Sequence, residues 1–452
     1  MKKRVVVTGL GVMSSLGHDI ETFWSNSLAG RINVKEIPQL WKSLYQSRSQ
    51  YYAPLVSWDQ KDFLISKVEN LRLDPQTTLC LCATVQALQH AQLHLTCQNK
   101  KTHQYCIEGI DSSRASVFIG SAGAGMQSLF SSHANYVFSK PSKELALLSN
   151  ELEDSLKKRL DTILEKIKPG RISYYSVIQS MSDACSSAIG VKFLLNGINQ
   201  TFCSGCSSGT QAIGQAFKSL QRGECEFAIT GGADYLMDEA GTIFTSLDIA
   251  QVLASDSTYD RHTVNRPFDK NRSGFLFSEG GAGILILEER EHALKRGASI
   301  LAEVVGYGES FSSYGAMVIE PDGNSLKIAI NKALGSANIQ PSSIDYINAH
   351  GTGTQNNDAV EAQVIKELFI NNPSVNSSKS LLGHSLCACG GLEAVLTVLS
   401  LKEQLVHPTL NIETPVENLN FPSIACEKKI DYAISQSFSF GGQRSVLVMK
   451  RG

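Results

Sequence analysis

No stretch of the 452-residue chain stays apolar for the roughly 18 positions that a membrane-crossing helix needs. A helical membrane protein is therefore not expected. A dominant charge sign is missing as well. The 41 Lys and Arg against 43 Asp and Glu leave a formal net charge of −2, so no global basic field points to nucleic acid. Cysteine is thin, with 11 residues in 452, an odd number, many in apolar or helical stretches such as Leu79-Cys80-Leu81-Cys82. That argues against a secreted disulfide framework and for reduced, buried thiols in a cytoplasmic protein. Phosphate-binding loops are lacking too. Gly9-x-Gly11 follows a strand-like run, but position 14, where a dinucleotide fingerprint needs its third glycine, is Ser. The start, Met1-Lys2-Lys3-Arg4, imitates the charged end of a secretory leader. Its apolar run breaks at once into Gly9-Leu10-Gly11 and is too short for one.

What is present is a globular composition: 42% hydrophobic, 19% charged and 36 glycines. Arg4 to Val7 reads as a buried strand followed by a Gly-rich turn, and Thr77 to Leu93 as a long, nearly all-apolar helix of the central kind. The stretch 140–168 is charged with helical period and stops at Pro169-Gly170, which predicts a solvated helix pair. Further on, strands alternate with helices, which implies parallel sheet covered on both faces. Two passages echo one another. Each has a strand, a turn rich in Gly, Cys or Ser, and a helix of small residues: Cys203 to Ala216 and Gly383 to Val395. The echo suggests a duplicated α/β fold, divided near 255/256, with its site between the halves.

Three residues stand at such turns. Cys206, in Ser204-Gly205-Cys206-Ser207-Ser208-Gly209, sits at the start of a helix. There the macrodipole favours a thiolate and the free N–H groups can hold an oxyanion. His350 comes after a strand in Asn348-Ala349-His350-Gly351-Thr352-Gly353-Thr354, and His384 closes Lys379-Ser380-Leu381-Leu382-Gly383-His384. Taken singly, each has an ordinary structural reading, as a packed thiol or a capping histidine. One cysteine and two histidines at equivalent turns are more consistent with a nucleophile and its partners. A competing reading takes Cys203 and Cys206 with Cys387 and Cys389 as a zinc or redox site.

In these motifs, together with Arg266-Pro267-Phe268-Asp269 and Phe438-Ser439-Phe440-Gly441-Gly442, the chain resembles the elongating β-ketoacyl-[acyl carrier protein] synthases of the thiolase-like superfamily, nearly end to end. The resemblance implies a five-layered α-β-α-β-α fold with two mixed sheets. The half 1–255 would carry the nucleophile and the half 256–452 the two histidines. It further implies that Cys206 accepts an acyl group, that His350 and His384 hold the malonyl thioester carbonyl, and that Lys379 and Glu361 form a supporting charged pair. The amides of Cys206 and Phe440 would form an oxyanion hole, with Phe438 and Phe440 in the gating segment. Thr352 and Thr354 would contact the pantetheine arm. No cofactor is implied beyond the phosphopantetheine carried by the acyl carrier protein. The other expected partner is a second copy or a paralogue, paired through Ser173 to Phe202.

The departures are equally specific. Gln443-Arg444 replaces the usual Thr-Asn after the gating glycines. Gly123 stands where a bulky acyl-pocket residue is usual, which predicts an open acyl channel. The carrier-binding cluster is reduced to Lys67, Arg72 and Lys218. These features suit a specialised polyketide or polyene pathway as readily as fatty-acid elongation. They also leave room for a non-catalytic scaffold partner.

Overall fold

In the computed structural model, which describes residues 2–121, 123, 125–149, 153–166, 174–255 and 257–452, the opening strand β1 (Val5–Met13) runs straight through Gly9 and Gly11. The two glycines predict a turn, but they serve a different purpose. Helix α1 (Pro75–His90) lies so close that a Cβ on Gly11 would stand 1.9 Å from the Ala83 carbonyl oxygen, and one on Gly9 would stand 2.3 Å from that of Ala87. Only a residue without a side chain permits that approach.

Nine more strands complete the sheet. They are β2 (Ala115–Gly120), β3 (Asn199–Phe202), β4 (Phe227–Tyr235), β5 (Gly280–Glu289), β6 (Ala302–Phe311), β7 (Tyr346–Asn348), β8 (Ser374–Asn376), β9 (Tyr432–Phe438) and β10 (Gln443–Arg451). They lie in the order β8-β7-β9-β10-β6-β1-β5-β4-β2-β3. Adding five to each label of β3-β2-β4-β5-β1 gives β8-β7-β9-β10-β6, so one half repeats the other. The pairing directions repeat as well. β2 is parallel to β3 and β4, and β7 to β8 and β9; the remaining pairs are antiparallel. The two mixed sheets meet where Val5–Val7 of β1 pairs with Ala302–Val304 of β6. The crossover therefore falls between Glu289 and Ala302, later than 255/256, because β5 returns to finish the first half-sheet.

Helices repeat with the strands: α1, α2 (Ala184–Lys192) and α3 (Ser208–Arg222) in the first half, then α4 (Asn324–Ala337), α5 (Gln355–Leu368) and α6 (Cys389–Glu403) in the second. α1 covers the outer face of the first half-sheet, and α4 that of the second. α3 and α6 lie between the two half-sheets, in a core that draws Ile213 and Phe217 from one and Leu392 and Leu396 from the other. This gives the five layers α-β-α-β-α. Every residue of α6 from Cys389 to Leu401 is buried, which fits an apolar, small-residue sequence with no amphipathic stripe.

The charged stretch forms part of two packed helices, Met126–Ser149 and Asp154–Lys166, with Leu145, Leu147, Leu148 and Leu156 exposed. The stop at Pro169-Gly170, the residues Ala122 and Ala124, and Ser173 at the head of the pairing segment lie outside the described residues. Among the described residues no helix is long and apolar enough to cross a membrane.

Candidate active site

The chain leaves β3, turns through a short 3-10 segment (Gly205–Ser207) and enters α3. Gly205 has φ +57, a left-handed conformation that glycine accepts without strain. Ser208 Oγ closes the turn by donating to the Gly205 carbonyl at 2.6 Å. The second half has a matching turn, entered from the short helix Lys379–Leu382: a 3-10 segment (Leu386–Ala388) leads into α6, with Leu386 at φ +45. The two turns abut. A Cβ on Gly209 would lie 2.9 Å from both the Cys387 carbonyl oxygen and the Gly391 nitrogen. Cys387 Sγ donates to the Gly205 carbonyl at 3.2 Å, and Cys389 Sγ to that of Cys206 at 3.3 Å. The second cysteine pair thus braces the nucleophile turn from behind. Cys203 is exposed while Cys206, Cys387 and Cys389 are buried, and no cluster of metal-ligating side chains occurs among the described residues. The four thiols do not converge.

Cys206, His350 and His384 line one cavity of about 240 Å³, together with Thr352, Thr354, Phe438, Phe440 and Arg444. The imidazole centroids lie 5.6 Å apart at an interplanar angle of 85°. Their tautomers are set by their neighbours. His384 Nδ1 accepts the Leu386 N–H at 3.2 Å, so the ring proton sits on Nε2. His350 Nδ1 lies 3.3 Å from the Lys379 ammonium, which can only donate, so its proton is on Nε2 as well. Burial holds both imidazoles well below the usual histidine value, aided by the Lys379 charge. The cavity therefore faces two neutral N–H donors.

Lys379 does not pair with Glu361. Its ammonium contacts the Glu393 carboxylate and donates to the His350 carbonyl at 2.7 Å. Burial pulls the ammonium down, but Glu393 more than compensates and leaves it raised; Glu393 itself is pushed up by burial to about 6. The ion pair is thus charged at neutral pH. Glu361 has another task. It accepts the backbone N–H groups of His350 and Gly351, both at 2.7 Å, and the Gln436 amide at 2.7 Å. It orients the histidine loop through the backbone, and burial pushes it up to about 7. Glu393 goes unnoticed in the sequence. Its one signal there is that it is the single charged residue in the stretch Cys389 to Leu401 of α6.

The helix dipole does not decide the state of Cys206. The side chain is 6% exposed, and burial pushes its thiol up to about 12, against the pull of Lys379 and of its own N–H. The Cys206 side chain therefore rests as a neutral thiol. Arg266-Pro267-Phe268-Asp269 proves to be a buttress: Arg266 pairs with Asp269 at 3.1 Å, and the Phe268 N–H binds Asp358 at 2.7 Å. A Cβ on Gly351 would meet the Phe268 ring at 2.6 Å, so that ring supports the His350 loop.

Thr352 and Thr354 share a hydroxyl contact of 2.9 Å at the cavity wall. Phe438 is buried against His350, with centroids 5.1 Å apart, whereas Phe440 is 43% exposed. The gate loop rests on the nucleophile turn, since a Cβ on Gly205 would stand 3.2 Å from Ser439 Cβ. Gly123 is half-buried and does not line the cavity. Lys67 and Arg72 are exposed, and Lys218 is engaged by Glu309 at 3.0 Å.

Known proteins share this layout. The family model for the β-ketoacyl synthase N-terminal domain matches residues 2–293, and that for the C-terminal domain matches 301–413. The 3-oxoacyl-[acyl-carrier-protein] synthase 2 of Staphylococcus aureus is 32% identical, covering 99% of this chain and 98% of its own. The synthase of the same name from Synechocystis is 32% identical over 100% and 98%. Among solved structures, a type II PKS acyl-carrier protein in complex with its ketosynthase bound to the hexaketide superposes with TM-score 0.81 at 26% identity. A β-ketoacyl synthase from Burkholderia phymatum gives 0.80 at 28%; each covers 100% of both chains. Fold and site define the thiolase-like condensing class. Within it, the chain belongs to the β-ketoacyl synthase family.

Proposed function

We propose that the protein catalyses decarboxylative condensation of an acyl group held on Cys206 with a malonyl group held on acyl carrier protein, in fatty-acid or polyketide synthesis. The observation that carries this reading is the pair of neutral Nε2–H donors facing the same cavity as a buried thiol.

In the first half-reaction, Cys206 sulfur attacks the acyl thioester, its proton leaves, and the carrier thiol departs. In the second, the malonyl thioester oxygen sits between His350 and His384. The bond to the carboxylate carbon breaks, carbon dioxide leaves, and the electron pair becomes an enolate whose charge the two donors meet. The enolate carbon attacks the acyl carbonyl. The Cys206 C–S bond breaks, and the thiolate takes a proton to return to the thiol. The product is a 3-oxoacyl thioester on the carrier.

Neutral histidines suit this role, because an imidazolium would need to lose a proton it has no reason to carry here. Lys379 fixes the His350 tautomer, and Glu361 fixes the loop, so both are positioning residues. The Phe440 and Cys206 amides serve the acyl oxyanion. The pantetheine arm passes Thr352 and Thr354 beneath the exposed rim of Met317, Val318 and Phe440. Lys67 and Arg72, both exposed, are cations that would meet an acidic carrier. A second copy or a paralogous subunit completes the assembly. The reaction depends on a free thiol, which places the protein in the reducing cytoplasm.

The test is incubation with acyl-carrier and carboxyl-labelled malonyl-carrier thioesters. Label released as carbon dioxide in step with 3-oxoacyl product supports the proposal. Folded protein that releases none favours a scaffold role.

A further inference from the structure

The cavity has a charge that the condensation steps leave unused. Among the described residues that line it, Arg444 alone carries a permanent charge and none is a carboxylate. Arg444 is 3% exposed. Its Nη1 donates to the backbone carbonyls of Ser439 at 3.3 Å and Gln443 at 3.0 Å, and among the described residues it forms no ion pair. The other buried arginines differ: Arg266 pairs with Asp269 and Arg272 lies 3.7 Å from Asp358. A guanidinium stays charged in any protein environment, and a buried charge without an ionic partner is costly unless a ligand supplies one.

Its position says which ligand. Arg444 and His350 lie against the same ring: the guanidinium carbon is 5.6 Å from the Phe438 centroid, and the His350 centroid is 5.1 Å from it. Glu320 and Glu361 are the acids whose fields reach the guanidinium, and the Arg444 charge in turn reaches His350. All three residues line one cavity, so an anion bound at Arg444 would share it with the carbonyl that the two histidines hold. In a malonyl thioester the carboxylate carbon is one methylene away from that carbonyl. We infer that Arg444 is the specificity residue that takes the carboxylate of the malonyl-type extender, an assignment that rests on the proposed condensation.

The assignment separates binding from chemistry. An Arg–carboxylate contact stabilises the bound extender and is lost as neutral carbon dioxide departs. It therefore acts on affinity more than on the chemical step. The negative charge moves from the carboxylate to the enolate oxygen at the histidines as the contact with Arg444 ends. The planar fork can grip both carboxylate oxygens, whereas an ammonium offers a point charge.

Two probes that cannot decarboxylate test this: a pantetheine amide of malonate, and its twin with the free carboxylate converted to carboxamide. Wild-type enzyme is expected to bind the carboxylate probe at least tenfold more tightly. Arg444→Gln should bring the two affinities within about twofold, and Arg444→Lys should restore part of the difference. With malonyl-carrier as substrate, Arg444→Gln should raise KM by tenfold or more, with a smaller change in kcat. A wild-type preference below twofold overturns the assignment, and this needs no variant to fold. So does a preference that survives in Arg444→Gln. So does an effect confined to acyl donors ending in a carboxylate, which would place Arg444 on the growing chain. An acyl adduct on wild-type Cys206 is scored in parallel. Its absence counts against the condensation reading, whereas its presence with the carboxylate preference intact in Arg444→Gln counts against Arg444 alone.

Discussion

The turns at Gly205–Ser207 and Leu386–Ala388 are the same device built twice: a residue with positive φ, one turn of 3-10 helix, then a buried helix. Each puts a cysteine in the middle, Cys206 in one and Cys387 in the other. Yet Cys206 faces the cavity, while Cys387 gives its S–H to the Gly205 carbonyl and its N–H to Asp234 at 3.2 Å. The difference shows how a duplicated fold divides its labour. One copy keeps a thiol that faces the cavity. The other turns its thiol into a brace and contributes the two imidazoles from the loops that flank it.

The largest effect should come from separating those contributions. His350→Ala and His384→Ala should each lower condensation by about 10²–10³-fold, the scale of removing one preorganised donor, while acyl transfer to Cys206 persists. Stopped-flow condensation assays with preloaded enzyme check this. Next is the ion pair behind the second turn. Lys379→Met strands Glu393 in a dry interior and should destabilise the fold by about 3–5 kcal/mol in denaturant titration. With its partner gone, the carboxyl pKa rises further above its unfolded value. The loss is therefore greatest at high pH and relieved as pH falls.

Gly209→Ala and Gly390→Ala test the contact between the copies. The new Cβ would meet Gly391 nitrogen at 2.9 Å in one and Thr210 Oγ1 at 2.3 Å in the other. Each should cost about 1–3 kcal/mol of overpacking. If only one does, the two turns are not mechanically equivalent. The smallest effect is in pH. Glu361, pushed up to about 7, loses its charge under the His350 loop in this range, but both active-site imidazoles are held well below 6.5 by burial, so their own share of the rate should stay flat as pH falls through 6.5. Stability should not. The unfolded chain protonates these histidines first, so their contribution is lost below about pH 6.5, while the raised carboxyls of Glu361 and Glu393 act in the opposite sense.

Much of this was legible in the sequence, for reasons that particular residues make plain. Cys206, His350 and His384 announce themselves because turns between strand and helix need glycine and set the neighbouring side chains at a helix end. The central helix Pro75–His90 was legible, as Thr77 to Leu93, because its run of apolar and small residues is hardly interrupted. Gly9 and Gly11 misled, since a glycine needed for a helix to approach a strand looks, in sequence, like one needed for a turn. The pairing of Lys379 was hidden for a similar reason. Glu361 and Glu393 are both buried acids on helices, and only the packing of α6 against the second turn selects Glu393. The repeat itself was audible as a faint echo, but its register, strand for strand, lives in hydrogen bonds that no periodicity encodes.

The central claim is that only the first copy of the turn carries an acyl group. Intact-mass measurement after incubation with acyl-carrier protein, on wild type, Cys206→Ala and Cys387→Ala, addresses it directly. The account predicts one acyl adduct on wild type and on Cys387→Ala, and none on Cys206→Ala. An adduct that survives in Cys206→Ala, or vanishes only in Cys387→Ala, would contradict it.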